Sequence, residues 1–210
     1  MYARKVKDQK LTFVVSGQLW NRSLVMMDQE TRSLWSHILG ECVKGELEGT
    51  ELKSLPSDML TWDAWKKEHP DSTVLNMPRT SKNFTKEFYK DPERFVVGFM
   101  GQYGPHHVAF SKLQKSPLLN VDARGLPLLI LSESKSTSVR LFVRRVGKRE
   151  LTFEPAGEQL RDTQTKSLWD RRSGTAVEGE LKGTSLEPHV GIVSFAHAWK
   201  TFHSESRPVE

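Results

Sequence analysis

The residues of this chain best suited to acid–base chemistry are two aspartates and two histidines, paired at a spacing of 134 positions. Asp28 and Asp162 form one pair, and His69 and His203 form the other. Paired carboxylates can share a proton and act as general acid and base, and histidine titrates close to neutral pH. These four residues are the candidate catalytic groups, although the Asp-Thr/Ser-Gly signature of aspartic proteases is absent.

Both pairs also have a structural interpretation. Asp28 and Asp162 each precede a threonine by three residues, Thr31 and Thr165. An aspartate so placed at a turn typically accepts backbone N–H groups. A histidine that ends a short helix typically bonds to its last carbonyl groups.

The other histidines and the single cysteine do not predict a metal site. Metal ligands occur at recognisable spacings, whereas His106 and His107 are adjacent and His197 stands six residues before His203. We therefore expect no metal and no cofactor. Cys42 has Ala176 at the equivalent position, which favours a small buried side chain over a reactive thiol.

The six tryptophans divide into matched and unmatched ones. Trp35 matches Trp169 and Trp65 matches Trp199, which is typical of core residues. Trp20 and Trp62 have no matched tryptophan, so they are the candidates for an exposed ligand-binding surface.

These matches belong to a longer internal repeat. The stretch 28–69 aligns without a gap with 162–203, and 17 of its 42 positions are identical. Self-similarity of this kind predicts two copies of one structural unit.

Each unit combines short strands, tight turns and one short helix. We expect hairpins from Tyr2–Val6 with Leu11–Val15 and from Val139–Val146 with Glu150–Phe153, and helices at 61–69 and 195–203. The segment between the units carries strand patterns at 94–100 and 126–131 and a short helix near 86–89. The fold class predicted is mainly β with short helices, as two tandem homologous β units packed pseudo-symmetrically.

The boundaries that follow are a first unit at 1–75, a connecting segment at 76–125 and a second unit at 126–210. A strand at 126–131 precedes the second hairpin, and nothing corresponds to it before the first. An open strand edge invites pairing. We expect another segment to cover the edge, or a homodimer through Tyr2–Val6.

Composition narrows the class of partner. The 210 residues carry a net charge of +5 with both signs interleaved, so the composition does not predict a nucleic-acid partner. The basic residues 144–149 and 171–172 are expected on a solvated strand face. No run is long enough to span a membrane and no signal segment is evident, which as written indicates a soluble cytoplasmic chain.

The motifs resemble a bacterial family known as domain of unknown function 3179. The resemblance rests on Leu-Thr-Phe-x-x-Ser-Gly at 11–17, Leu-Val-Met-x-Asp at 24–28, Ser-Leu-Trp at 33–35 and the Gly-Glu motif that begins at Gly40. It implies the two-unit β architecture and no known activity. It also implies an exported or envelope-associated full-length form with a signal segment and a Tyr-Cys-Pro-Leu-Cys motif, both missing here.

Two functions remain open on these grounds. The first is a non-enzymatic binding or scaffold module with its ligand site between the two units. The alternative is a hydrolase or metal-dependent enzyme that uses the paired aspartates and histidines. An enzyme should gather these groups in one pocket, whereas a binding module should leave them dispersed.

Overall fold

The structure is a computed structural model that describes residues 1–57, 62–74, 91–133 and 137–209. It confirms the prediction of a mainly β fold with short helices. Nearly all strands pair antiparallel with a neighbour close in sequence. No helix in the described part of the chain is long and apolar enough to cross a membrane.

The N-terminal part forms a hairpin followed by a four-stranded antiparallel meander in the order β3-β4-β5-β6. Its strands are β1 (Lys5–Val6), β2 (Gln9–Lys10), β3 (Phe13–Trp20), β4 (Ser23–Asp28), β5 (Leu34–Ser36) and β6 (Glu41–Lys44). The hairpin predicted from Tyr2–Val6 and Leu11–Val15 is therefore present but shorter, and Leu11 N–H donates to Arg4 O beside it. Lys5 faces Lys10, while Phe13 begins a new strand that pairs with Asp28.

The C-terminal part repeats this arrangement, with a hairpin and a second meander in the order β14-β15-β16-β17. Its strands are β12 (Arg145–Val146), β13 (Arg149–Glu150), β14 (Phe153–Ala156), β15 (Gln159–Asp162), β16 (Leu168–Trp169) and β17 (Ala176–Glu178). Here too the hairpin is shorter than predicted, since Arg145 pairs with Glu150.

Two further four-stranded sheets lie between and beside the meanders, in the orders β18-β11-β10-β9 and β19-β7-β8-β20. Their strands are β7 (Phe95–Gly101), β8 (Gly104–Ala109), β9 (Leu118–Asp122), β10 (Pro127–Ser132), β11 (Val139–Val143), β18 (Glu187–His189), β19 (Gly191–Phe195) and β20 (Arg207–Pro208). The α-helices of the described chain are Trp62–Glu68, Phe110–Lys115 and Ala196–Phe202, with a 3-10 turn at Pro92–Arg94. The short helix predicted near 86–89 lies outside the described residues.

Strand β10 explains why its sequence is an unbroken apolar run. Successive side chains of a strand point to opposite faces, and both faces of β10 are buried. Leu128 and Ile130 belong to the core formed with β7 and β8, whereas Leu129 and Leu131 belong to the core of the second meander. The strand is thus the wall between two cores.

The two meanders share their main-chain hydrogen bonds at a spacing of 134. Asp28 N–H donates to Ser33 O as Asp162 N–H donates to Ser167 O, and Leu52 N–H donates to Gly40 O as Leu186 N–H donates to Gly174 O. Gly45 and Gly179 have positive φ, and a Cβ on either would strike the serine opposite, Ser33 or Ser167. The matched glycines are therefore required by backbone conformation and close packing. The division into tandem units packed pseudo-symmetrically remains a prediction.

The matched helix tryptophans Trp65 and Trp199 differ in burial. Trp199 is 1% exposed as predicted, but Trp65 is 38% exposed. The indole of Trp199 lies on Gly98 of β7, where a Cβ would overlap it, and no described strand covers Trp65 in this way.

The basic cluster also contains one buried member. Arg144 is 7% exposed, and its guanidinium donates to the carbonyl oxygens of Leu151 (2.9 Å) and Val121 (3.3 Å) and pairs with Glu150 at 2.8 Å. The prediction of a wholly solvated face is wrong at this position, because Arg144 ties the second hairpin to β9.

Candidate functional site

The Asp28 carboxylate is fully buried and surrounded by donors from its own turn. Oδ2 accepts the indole N–H of Trp35 at 2.8 Å, and Oδ1 accepts the main-chain N–H of Thr31 at 2.6 Å. The Thr31 hydroxyl lies 2.8 Å from Oδ1 and also contacts Ser33 Oγ at 2.7 Å. Asp28 therefore organises the turn between β4 and β5.

Asp162 has the same set of partners. Oδ2 accepts the indole N–H of Trp169 at 2.9 Å, Oδ1 accepts the N–H of Thr165 at 2.5 Å, and Thr165 Oγ1 lies 2.7 Å from Ser167 Oγ. Each carboxylate is bound inside its own meander, and neither lines the cavities described below.

The pKa values of both aspartates follow from these contacts. Burial raises the pKa of each carboxyl group, but hydrogen bonds from the tryptophan and from the threonine and serine of the turn outweigh it. The pKa of Asp28 and of Asp162 thus lies below the ordinary aspartate value, so both are ionised at neutral pH. A proton donor would need the opposite shift.

The two candidate histidines end their helices in the same way. The ring of His69 packs on Trp65 and that of His203 on Trp199, each with 4.1 Å between ring centroids. Their main-chain N–H groups donate to the carbonyl oxygens of the same tryptophans at 2.8 Å. Burial lowers the pKa of His203, so this imidazole is neutral at pH 7.

The two unmatched tryptophans are both 41% exposed. Trp20, at the end of β3, meets Phe202 of the last helix edge to face at 4.9 Å. Trp62 opens the first helix, and Lys66 Nζ lies 5.7 Å from its ring centroid. They lie on different elements, and neither lines either of the two cavities described next.

Two adjoining cavities form a groove between the N-terminal meander and the central sheets. They share Pro56, Pro188 and His189. The larger, about 470 Å³, we call the basic half-site, and its other lining residues include Trp65, Arg140, Phe142, Arg172 and Ser173. The smaller, about 320 Å³, we call the apolar half-site, and its other lining residues include Tyr2, Ile38, Leu39, Phe99, Met100, Val190, Ile192, Trp199 and His203.

The two half-sites are built from matched positions. The turn after β5 supplies Ile38 and Leu39 to the apolar half-site, and 134 positions later the turn after β16 supplies Arg172 and Ser173 to the basic one. The helix tryptophans are exchanged, because Trp65 lines the half-site that holds the C-terminal turn and Trp199 lines the other. Each half-site therefore draws on both halves of the chain.

The arginines of the basic half-site are held by neighbouring carboxylates. Arg140 is 8% exposed and donates to Glu133 Oε1 at 2.9 Å. Asp170, which opens the turn of Arg172, accepts the main-chain N–H groups of Arg172 (3.1 Å) and Ser173 (2.7 Å). Burial raises the pKa of Asp170, but these bonds and the charge of Arg172 outweigh it and lower the pKa.

The sequence placed a ligand site between the two units but did not identify the residues that line this groove, although a signal for them was present. The aligned turns 36–39 and 170–173 are among the places where the two copies differ most, Ser-His-Ile-Leu against Asp-Arg-Arg-Ser. Of the residues the structure describes, no three His, Cys, Asp or Glu side chains are grouped as metal ligands would be. Cys42 is fully buried in the first meander, and burial raises the pKa of its thiol.

Comparison with known proteins gives one match. The family model described as Protein of unknown function (DUF3179) matches residues 1–206. No curated protein and no solved structure matches the chain.

Proposed function

We propose that this chain, which belongs to the DUF3179 family over almost its whole length, is a non-enzymatic binding module. The family description names no function, so the proposal rests on the geometry of the chain itself. Its ligand site is the groove that comprises the basic and apolar half-sites. The observation that carries the proposal is a concave, largely apolar groove in which a few polar groups converge, the usual form of a small-molecule site.

The lining chemistry supports a ligand with substantial apolar surface. Phe99, Val190 and Ile192 offer aliphatic and aromatic contacts. The polar lining residues at the apolar end are Tyr2, Ser54, His189 and His203. His189 Nε2 is bonded to Met100 O at 2.9 Å, so one side of that ring is already fixed. The affinity of an apolar ligand increases with the apolar surface area that binding removes from water.

The hydrolase alternative has less support. Asp28 and Asp162 accept hydrogen bonds within their own turns and are held ionised, whereas a general acid needs a raised pKa. Of the four candidates, only His203 lines the groove. The arrangement agrees better with two structural carboxylates and two helix-capping histidines.

A neutral fluorescent probe, N-phenyl-1-naphthylamine, tests the binding proposal. We expect saturable enhancement with the wild-type chain and its loss in Ser54→Trp, because Ser54 lines the apolar half-site and the indole would fill it. The matched control is Lys53→Trp, one position away and outside the lining, which should bind as the wild type does. Equal binding by both variants, or none by the wild type, would overturn the proposal. Circular dichroism establishes that the variants are folded.

We also propose a homodimer through the N-terminal edge. Ala3 N–H donates to Lys53 O and Leu55 N–H donates to Met1 O, both at 2.8 Å, so Tyr2 pairs with Ser54. In such a pair the main-chain groups of Tyr2 point to the opposite edge, where none of the described segments adds a strand. The counterpart strand β11 has β10 on that side.

Sedimentation equilibrium tests the dimer. The wild type should associate as concentration rises, and Tyr2→Pro should remain monomeric because it removes the outward N–H. Tyr2→Phe is the control, since both variants lose the hydrogen bond from the Tyr2 hydroxyl to His37 O and only proline loses the main-chain donor. A wild type that is monomeric throughout rules the dimer out.

A further inference from the structure

The two ends of the groove differ in charge although they are built from matched turns. Positions 38 and 39 are isoleucine and leucine, while positions 172 and 173 are arginine and serine. All four line the groove. The main-chain frame is the same at both ends, since Gly40 N–H donates to Ser36 O at 2.9 Å and Gly174 N–H donates to Asp170 O at 3.0 Å. The two turns therefore share this main-chain bond and differ in the side chains that they present to the groove.

The basic half-site carries guanidinium groups directly on the cavity. Arg140 and Arg172 both line it, and no aspartate or glutamate is among the described residues that do. Glu133, which accepts a hydrogen bond from Arg140, and Asp170, which accepts the main-chain N–H of Arg172, are not lining residues. A guanidinium has five N–H donors, so one that already serves a carboxylate keeps donors for a second anion.

The opposite end presents no comparable charge. None of the described lining residues of the apolar half-site is a lysine, arginine, aspartate or glutamate, and burial lowers the pKa of His203. Phe99 at its base is 2% exposed, and Trp199 is 1% exposed. Displacing water from such a surface is favourable, whereas an anion placed there would lose its hydration without gaining a polar partner.

From this polarity we propose that the groove binds an amphiphilic monoanion, a compact anionic head on an aliphatic chain, with the head at Arg172 and the chain in the apolar half-site. The inference rests on the proposed binding function and adds the class of ligand and its orientation. Pro56, Pro188 and His189 line both cavities, so the two half-sites adjoin at these three residues, and the proposed ligand lies across that junction.

The experiment uses ¹H–¹⁵N spectra of the whole chain, in which the indole N–H of Trp65 reports the basic half-site and that of Trp199 the apolar one. The probes are acetate, decanoate, decyl phosphate and decanol. Decanoate should shift both indole signals and saturate, while acetate should shift only that of Trp65. Decyl phosphate against decanoate distinguishes a phosphate head from a carboxylate.

The decisive variant is Arg172→Gln, with the exposed Arg161→Gln on β15 as its control. Loss of a charge-assisted contact should weaken the binding of the anionic probe by about tenfold or more and leave decanol unchanged. Equal affinity for decanoate and decanol, together with no effect of Arg172→Gln, overturns the inference while groove binding stands. Absence of any shift with all four probes overturns the inference and counts against the binding function as well.

Discussion

The indole N–H of Trp35 donates to the buried carboxylate of Asp28 across 2.8 Å, and both residues are fully removed from solvent. The bond joins β4 to β5 through side chains, in addition to the main-chain ladder. The same bond joins Trp169 to Asp162 at 2.9 Å. In each meander the aspartate anchors the turn between two strands, and a catalytic role for Asp28 and Asp162 stays a prediction.

Replacing either aspartate by asparagine should destabilise the fold. Asp28→Asn and Asp162→Asn place an NH2 group among N–H donors, so one buried donor is left without an acceptor. We expect a loss of about 2–3 kcal/mol in the free energy of unfolding for each variant. Urea denaturation measures it.

The control for these variants is Asp122→Asn. That aspartate is exposed and accepts only the main-chain N–H of Gly125 at 2.7 Å among its described bonds. Its loss should stay below about 1 kcal/mol. Losses at Asp28 and Asp162 no larger than at Asp122 would contradict the anchoring role.

Stability should also fall in acid because of these carboxylates. The pKa of Asp28, of Asp162 and of Asp170 is lowered in the folded chain. A lowered pKa contributes stability that is complete above the unfolded aspartate value and is lost as pH falls through the folded value. The free energy of unfolding should therefore decrease below about pH 4. In Asp28→Asn this decrease should be smaller, and an unchanged slope would refute the assignment.

A second, separate pH dependence is expected from His107 on β8. Its Nδ1 is hydrogen-bonded to Ser206 Oγ at 2.8 Å, which holds the segment before β20 against the sheet. Burial, then Lys200 of the last helix and the neighbouring His106, lower the pKa of His107. Its contribution to stability is thus complete above the ordinary histidine value and is lost as pH falls below about 6.5.

The variant that tests this is His107→Gln, which cannot gain a charge. Between about pH 6.5 and 5 its free energy of unfolding should change less than that of the wild type. The pKa of His203 is also lowered, so part of the dependence should remain. The exposed His197→Gln is the control and should follow the wild type, and a His107→Gln curve parallel to both would contradict the prediction.

The two helix tryptophans offer a matched comparison. Trp199→Ala removes a side chain that is 1% exposed and should cost about 4 kcal/mol of unfolding free energy, while Trp65→Ala removes one that is 38% exposed and should cost about 1 kcal/mol. Both indoles donate to a serine, Ser206 and Ser72 respectively. Because both indoles make a bond to a serine, a difference between the two losses reports the difference in burial. Equal losses would contradict the prediction.

The sequence predicted those features that depend on local pattern. The alternation and glycine spacing indicated short strands and tight turns, and the matched Trp35 and Trp169 are core residues. It failed where distant segments decide the outcome. The burial of Trp199 depends on Gly98, about a hundred residues earlier. The sequence around Trp65 does not indicate that this tryptophan is exposed. The lining residues of the groove were not predicted for the same reason, because they come from both halves of the chain.

The exchange of tryptophans between the half-sites has a consequence for how such a site can change over generations. Position 172 lines the same half-site as Trp65, and positions 38 and 39 line the same half-site as Trp199, so a substitution in one half of the chain alters a site that the other half also forms. Substitutions at these positions should therefore occur together rather than singly. Neither half of the chain alone should form a complete groove.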